Sequence, residues 1–479
     1  MRFLDRLRTA FVHAPYWVRT AASPIITLIP QQFLYGSTYR KYRRDISRSR
    51  IDEAFTRQWQ TSRLRELLVL ASRHAPHYRN LTAQLALTEA DLLKFEVADL
   101  SRFPILSKEQ LRAGPNDFVT QPPAQLDVAS TSGSSGRPLY FYLDKDRSTK
   151  EWAFVLDAWA KIGLSTKQTR AVFRGVQIPG IDGTPWEYHS PLRELRLSPF
   201  HLTDSWMSKY CDLIMQFNAT YLYGYPSALE IFTAHVLRTG RHDVATQIQG
   251  AATISEVLLD HQRELIAHTF NTENIGSSYG MSEKVAFGSE LPGRPGVFEM
   301  EPLYGITELI ADNGKLVTIA GEQGRIVGTG LLFHGMPLVR YDTGDLAELV
   351  EAPNPRNFHR LVVRNIRSRW VQEFLVGADH RMISMTAINI HSPAYSNIQA
   401  FQFFQDTPGR AVFKAVPAAG CGVNEIRPFI AEISQKIGSS IIFEIELVEK
   451  LDVNVRGKSK FIDQKLNLAI FKTDNMAAV

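Results

Sequence analysis

Between Glu151 and Gly288 the chain alternates helical stretches with short apolar runs, among them Thr220 to Tyr223 and Ile248 to Ala252. Such alternation commits a chain to an α/β sheet, because each short buried strand must be covered by the helices that flank it. After Gly296 the pattern changes. Thr307 to Ala311, Lys315 to Ile319 and Gly324 to Thr329 read as strands separated by polar turns, which predicts a β subdomain over about 296–367. A basic, irregular segment at 366–370 then precedes a final α+β unit, with strands near Ile398 to Gln405 and Ala411 to Val416 and a helix near Asn424 to Gly438. The expected organisation is an α/β N-terminal domain over 1–367 and a smaller α+β C-terminal domain over 368–479. Upstream, residues 52–96 read as helical, with Leu64, Leu67, Leu68 and Ala71 spaced for one buried face and a turn near Pro76. Ser107, three residues before Gln110, is placed for a capping box.

A chain of 479 residues has room for about three domain-sized units, or for one large domain with a companion. Cys211 and Cys421 are its two cysteines, which excludes a disulfide framework and a Cys-rich zinc site and fits a reducing cytoplasm. The net charge of +5 is uneven: the first fifty residues hold ten Lys/Arg against two Asp, so the remainder is slightly acidic. An overall field suited to nucleic acid is therefore absent. The basic N-terminal region reads first as a solvated helical face, with peripheral contact at an anionic membrane surface as the second reading. Arg2, Asp5, Arg6 and Arg8 interrupt any secretory signal, while Pro24, Pro30, Gln31, Gln32 and Gly36 make the uncharged stretch from Thr20 to Tyr39 a poor membrane span.

Chemistry is concentrated in five segments. Ser130 to Pro138 reads STSGSSGRP and lies between Val128–Ser130 and an aromatic strand, Leu139–Leu143. Gly133 and Gly136 let a backbone approach an anion closely, and Ser132, Ser134 and Ser135 supply hydroxyls, so the loop suits a polyphosphate although it lacks Walker spacing. A flexible surface loop would have the same composition. Thr220 to Ser227 ends a strand with a turn that presents Tyr223, Tyr225 and Ser227. Ser277 to Glu283, SSYGMSE, places a carboxylate after a Gly turn and a hydroxyl, a donor suited to Mg²⁺ held jointly with phosphates. Pro337 to Asp345, PLVRYDTGD, is read as setting Arg340, Asp342 and Asp345 around a tight turn, where a carboxylate could accept from ribose hydroxyls. Val455 to Phe461, VRGKSKF, offers Lys458 on a flexible glycine as a mobile point charge.

In this order, STSGSSGRP, GYPSALE, SSYGMSE, PLVRYDTGD and RGKSK resemble the core motifs of the adenylate-forming enzymes, which include acyl-CoA synthetases, adenylation domains and luciferases. TSGSSGRPLYFYLD, YGMSEKVAFGSE, YGITELI and VGTGLLFHGMPLVRYDTGD are similar to its phenylacetate:CoA ligase-like branch, particularly proteins named for capsular polysaccharide biosynthesis. The resemblance covers roughly residues 25–465. It implies a large multi-subdomain N-terminal adenylation domain and a small mobile C-terminal one. It also implies ATP-dependent adenylation of a carboxylate with release of pyrophosphate, followed by acyl transfer, by default to CoA. Carried over, Thr131, Ser132, Gly133, Ser134, Ser135 and Gly136 would cradle the β- and γ-phosphates. Tyr279 would stack on adenine, Ser282 would contact phosphate, Glu283 would hold Mg²⁺ and Asp345 the ribose. Arg369 would be the hinge arginine, and Lys458 the lysine that bridges carboxylate and α-phosphate.

The chain departs from the pattern at the hinge. Where relatives often read Gly-Arg-x-x-Asp, it has Ser368-Arg369-Trp370-Val371-Gln372. That departure motivates one alternative, a nucleotide-binding homologue without turnover; the other keeps adenylation and transfers the acyl group to a sugar or amine in surface polysaccharide biosynthesis. After Glu283, Ser289 to Pro292 offers no cysteine, so no structural zinc is expected.

Overall fold

A computed structural model describes residues 35–130, 139–175, 178, 184–367, 374–384, 397–451, 462–468 and 471. It opens with helices α1 (Gly36–Ser49), α2 (Glu53–His74), α3 (Pro76–Gln84), α4 (Glu89–Leu92) and α5 (Lys108–Ala113). The short pair β1 (Asp127–Ser130) and β2 (Tyr140–Leu143) follows, then α6 (Arg147–Ala160). An α/β stretch comes next: β3 (Thr169–Phe173), β4 (Trp186–His189), β5 (Glu194–Leu197), α7 (Asp204–Gln216), β6 (Ala219–Gly224), α8 (Pro226–Arg238), α9 (His242–Gln247), β7 (Gly250–Ile254) and α10 (Asp260–Phe270). Strands then dominate: β8 (Ile275–Gly280), β9 (Phe287–Leu291), β10 (Arg294–Met300), β11 (Gly305–Ile310), β12 (Gln323–Gly330), β13 (Tyr341–Glu351) and β14 (Val362–Arg367). The last stretch holds β15 (Phe374–Val376), β16 (Met382–Ser384), β17 (Ile398–Thr407), β18 (Arg410–Pro417), α11 (Val423–Ile437), β19 (Ile442–Leu447) and β20 (Ile462–Gln464).

The described residues gather into two compact units. The first takes those of 1–129, 140–166 and 276–369. Its strands run β11-β12-β13-β14-β10-β9-β8 with antiparallel neighbours. Leu64, Leu67, Leu68 and Ala71 of α2 are all buried, as their spacing predicts. The Asp52 carboxylate starts that helix by accepting from the Phe55 amide at 2.9 Å. The capping box of α5 forms as expected, the Gln110 amide donating to Ser107 Oγ and the Ser107 amide to Gln110 Oε1. Phe287 stacks on Tyr304, and Phe154 of α6 meets both rings edge-on in the core.

Two readings of this unit change. Lys315 to Ile319 is no strand; it makes one isolated bridge, Leu316 to Ile310, while Leu316 and Ile319 stand 54% and 62% exposed. The Val317 amide donates to the Leu309 carbonyl at 2.7 Å and the Ala311 amide to the Lys315 carbonyl at 2.9 Å, so the run touches the end of β11 without extending into a ladder among the described residues. In the described part of the basic N-terminal region, Lys41, Arg44 and Arg48 are exposed, as a solvated helical face requires, but Arg43 and Arg50 turn inward. Arg50 pairs with Asp157 at 2.6 Å and Glu299 at 3.1 Å, and Arg43 joins Asp157 at 2.7 Å. Lys161 and Arg360 complete the cluster around Glu299, and although burial pushes that carboxyl's pKa up, Lys161, Arg50 and Arg360 together hold it below its ordinary value.

The second unit takes the described residues of 130–139, 167–275 and 370–479. Strands β7, β6, β3 and β5 are parallel neighbours and β4 closes the edge antiparallel, with α7, α8 and α10 among its helices. Phe173 packs against Phe232 and Tyr210. A four-stranded sheet, β19-β18-β17-β20, carries α11, whose Ile426, Phe429, Ile430, Ile433 and Ile437 are buried. Phe401, Phe403, Phe413 and Phe429 form its aromatic centre. Among the described residues no helix is long and apolar enough to cross a membrane.

Candidate active site

The site in the first unit begins with an irregularity in β13. Asp342 faces Val327 on β12, but the next ladder pair is Leu346 with Arg325, so β13 carries extra residues opposite Ile326. Gly344 turns left-handed there, at φ +80°. Its amide donates to Asp342 Oδ1 at 2.9 Å, and the Asp345 amide donates to Thr343 Oγ1 at 3.1 Å. Thr343 Oγ1 in turn donates to the Ile326 carbonyl at 2.8 Å. The expected tight turn is thus a bulged strand. Arg340 and Asp342 are structural: Arg340 grips Glu308 through Nε and Nη2 and the Phe103 carbonyl through Nη1, and Asp342 pairs with Arg325 at 2.7 Å.

Glu283 and Asp345 are held by a crossed pair of tyrosines. Tyr279, in the last turn of β8, donates to Asp345 Oδ2 at 2.8 Å; Tyr341, first in β13, donates to Glu283 Oε1 at 2.7 Å. Three strands separate β8 from β13 in the sheet order. In a flat sheet they would stand about 19 Å apart, so these contacts require the sheet to curl until its non-adjacent strands meet. Burial, and then the Glu283 carboxylate, push the Tyr341 pKa far above the ordinary phenol range; burial and Asp345 do the same for Tyr279. Both phenols therefore stay protonated donors.

A third element reaches Glu283. The Leu106 amide donates to the Arg340 carbonyl and the Asp342 amide to the Leu106 carbonyl, both at 2.9 Å, which fixes the start of α5 beside β13. Lys108, at the N-terminus of α5, then sits 3.6 Å from Glu283 Oε1. Glu283 is buried, and the described residues place no hydrogen bond on its Oε2.

The structure brings together Tyr279, Glu283 and Asp345, and leaves Ser282 partly exposed in the turn beside Glu283. Thr131, Ser132, Gly133, Ser134, Ser135, Gly136, Arg369 and Lys458 lie outside the described residues. Ser130 and Leu139, which flank the loop, border the paired strands β1 and β2 as expected. Tyr341 and Lys108 are additions. Tyr341 stands inside PLVRYDTGD and Lys108 directly after the capping serine, but nothing local indicates that either faces Glu283. In the second unit, Tyr223 accepts from Arg174, Tyr225 accepts from the Gly175 amide, and the Ser227 amide donates to Glu256. Cys211 is buried and its thiol pKa is pushed up to about 12 by burial, which removes it as a nucleophile.

Among the described residues no group of three His, Cys, Asp or Glu forms a metal cage. Mg²⁺ does not need one, since it commonly binds through one or two carboxylates and substrate phosphates, and a single buried carboxylate with one uncommitted oxygen fits that mode.

The fold is that of the adenylate-forming CoA ligases. 2-Hydroxyisobutyryl-CoA ligase in the thioesterification state, in complex with 2-HIB-AMP and CoA, matches with a TM-score of 0.54 at 15% identity, over 90% of this chain and 94% of that one. Its open conformation matches with a TM-score of 0.51 at 16% identity, over 86% and 92%. In sequence, Protein CapK of Staphylococcus aureus is 23% identical over 385 residues, 77% of this chain and 81% of CapK. No protein-family model matches. These likenesses bear out the resemblance carried by the five motifs.

Proposed function

We propose that the protein is an AMP-forming ligase: a carboxylate oxygen attacks the α-phosphorus of ATP, the bond to the β-phosphate oxygen breaks, and an acyl-adenylate and pyrophosphate result. The acyl group then passes to the CoA thiol and AMP leaves. The observation that carries this reading is the crossed arrangement in which Tyr279 holds Asp345 and Tyr341 holds Glu283. Two carboxylates fixed by neutral phenols keep their direction, as a ribose anchor and a magnesium ligand both require. The fold supports it as well.

In this reading Asp345 accepts from the ribose hydroxyls and Tyr279 lies along the adenine. Glu283 holds Mg²⁺, which when bound neutralises charge on the phosphate oxygens. Lys108 limits the charge that Glu283 concentrates, Ser282 contacts phosphate, and 131–136 cradle the β- and γ-phosphates. Lys458 bridges the incoming carboxylate and the α-phosphate, and Arg369 serves the hinge between domains 1–367 and 368–479. Positioning and electrostatics supply most of the rate in transfer at phosphorus.

A second reading, supported by the likeness to CapK and by the branch the motifs resemble, keeps adenylation and delivers the acyl group to a sugar hydroxyl or an amine. Mass spectrometry of mixtures containing ATP, Mg²⁺ and a panel of aryl, fatty, hydroxy and amino acids separates the two. An acyl-adenylate that CoA converts to a thioester supports the leading reading. One that CoA leaves intact supports the second. ATP bound but never cleaved with any acid contradicts both.

A further inference from the structure

Glu283 sits in a turn that is tied down by residues other than the crossed tyrosines. The Lys284 amide donates to the Met281 carbonyl at 3.2 Å, so Ser282 and Glu283 are the central residues of a β-turn. Lys284 closes that turn in the left-handed region, at φ +61°. A residue with a Cβ stays in that conformation only where its surroundings hold it there.

Two features of the first unit do so. One is electrostatic: Lys284 Nζ donates to Glu151 Oε1 on α6 at 2.5 Å, and the Tyr304 hydroxyl donates to the same oxygen at 3.3 Å. Burial, and then Glu151, push the Tyr304 pKa far above the ordinary phenol range, so this phenol stays a donor. The other is steric. Val285 is buried against glycines of β11 and β12: a Cβ at Gly305 would come within 2.1 Å of the Val285 carbonyl oxygen, and one at Gly328 within 2.7 Å of its Cγ2. Phe287, first in β9, stacks on the Tyr304 ring with centroids 5.5 Å apart. The glycine slot fixes where the chain leaves the turn. The ion pair fixes how the turn is rotated about that exit, and with it the direction of the Glu283 carboxylate. It also commits the Lys284 ammonium to Glu151, where it does not neutralise the carboxylate beside it.

We propose that Glu151, acting through Lys284 and anchored by Tyr304, is a positioning residue for Glu283 that aims its carboxylate at the divalent cation accompanying the nucleotide phosphates. This rests on the reading of Glu283 as the Mg²⁺ ligand. Mg²⁺ demands near-octahedral geometry, and the groups behind a ligand set its orientation, so losing the support lowers metal affinity and spares nucleotide affinity. The side chains of Lys284 and Glu151 are 21% and 25% exposed, so solvent screens the pair in part and the effect is moderate.

The test is Mn²⁺ binding to the full chain, read by electron paramagnetic resonance with α,β-methylene-ATP, which cannot be cleaved at the bond that adenylation breaks. Mn²⁺ takes the same oxygen ligands as Mg²⁺. Glu151→Gln keeps an acceptor for Tyr304 and removes the charge facing Lys284; it should weaken Mn²⁺ binding roughly three- to tenfold. Lys284→Met should do the same, the double variant should lose no more than either single one, and Glu151→Asp should keep most of the affinity. Affinity for the analogue in EDTA should match the parent throughout. Losses that add in the double variant would overturn the proposal. So would weaker metal-free binding of the analogue by Lys284→Met, which assigns the lysine to phosphate. Glu283→Gln tests the reading beneath it. Mn²⁺ binding weakened there but unchanged in Glu151→Gln refutes the positioning role alone; binding that Glu283→Gln leaves unchanged removes Glu283 as the metal ligand, and the positioning role with it.

Discussion

Tyr279 and Asp345 lie 66 residues apart and meet at 2.8 Å because the sheet of the first unit curls β8 and β13 toward each other across the three strands between them. The same closure lets Tyr341 of β13 reach Glu283, in the turn after β8, while Tyr279 of β8 steadies Asp345 of β13. Losing one tyrosine removes the phenol hydrogen bond that fixes a carboxylate's direction.

Tyr341→Phe should therefore destabilise the fold by about 1–3 kcal/mol, the cost of stranding a buried acceptor. It should also raise the Mg²⁺ concentration needed for half-maximal activity, because Glu283 loses its fixed direction. Chemical denaturation and a Mg²⁺ titration measure the two effects. Unchanged stability and an unchanged Mg²⁺ requirement would remove Tyr341 from the site.

Asp345→Ala should weaken ATP binding roughly 10- to 100-fold, as loss of charge-assisted hydrogen bonds does. Calorimetric titration with ATP decides it. Wild-type affinity in the variant would refute the ribose assignment.

The SSYGMSE and PLVRYDTGD segments, the capping box at Ser107 and the strands bordering the Gly/Ser loop were all legible because each depends on residues close in sequence. Tyr341 and Lys108 were not. Their roles exist only once β13 curls toward β8 and Leu106 fastens α5 to β13, and neither long-range contact leaves a local pattern. The bulge at Gly344 reads as a turn for a related reason: a left-handed glycine after Asp has the same local chemistry in both settings. Arg43 and Arg50 likewise looked like surface charge until Asp157 and Glu299 closed on them.

Arg50→Ala should cost roughly 2–3 kcal/mol. Removing one member of a buried ion cluster is strongly destabilising, and the partial exposure of this arginine reduces the effect. A urea midpoint equal to that of the parent would show that the cluster around Asp157 and Glu299 is not anchored by Arg50.

Stability should fall as the pH drops below about 6.5. Burial is the leading cause that holds the pKa of His201, His235 and His334 below the ordinary histidine value. In the unfolded chain these rings take up protons near pH 6.5 while the folded ones remain neutral, so the unfolded state binds more protons and gains on acidification. The stabilisation is complete above the unfolded pKa and is lost as pH falls toward the folded values. Urea midpoints at pH 7.5 and 5.5 measure it, and His235→Gln should flatten the dependence. A midpoint that rises on acidification would contradict the sign.

The most direct test is exchange of labelled pyrophosphate into ATP, with Mg²⁺ and the acid panel, by the parent and by Lys458→Ala. Adenylation predicts exchange that depends on an added carboxylate and falls on the order of 10² to 10³-fold in the variant while ATP still binds. Equal exchange by both proteins, or exchange indifferent to carboxylate, would contradict it.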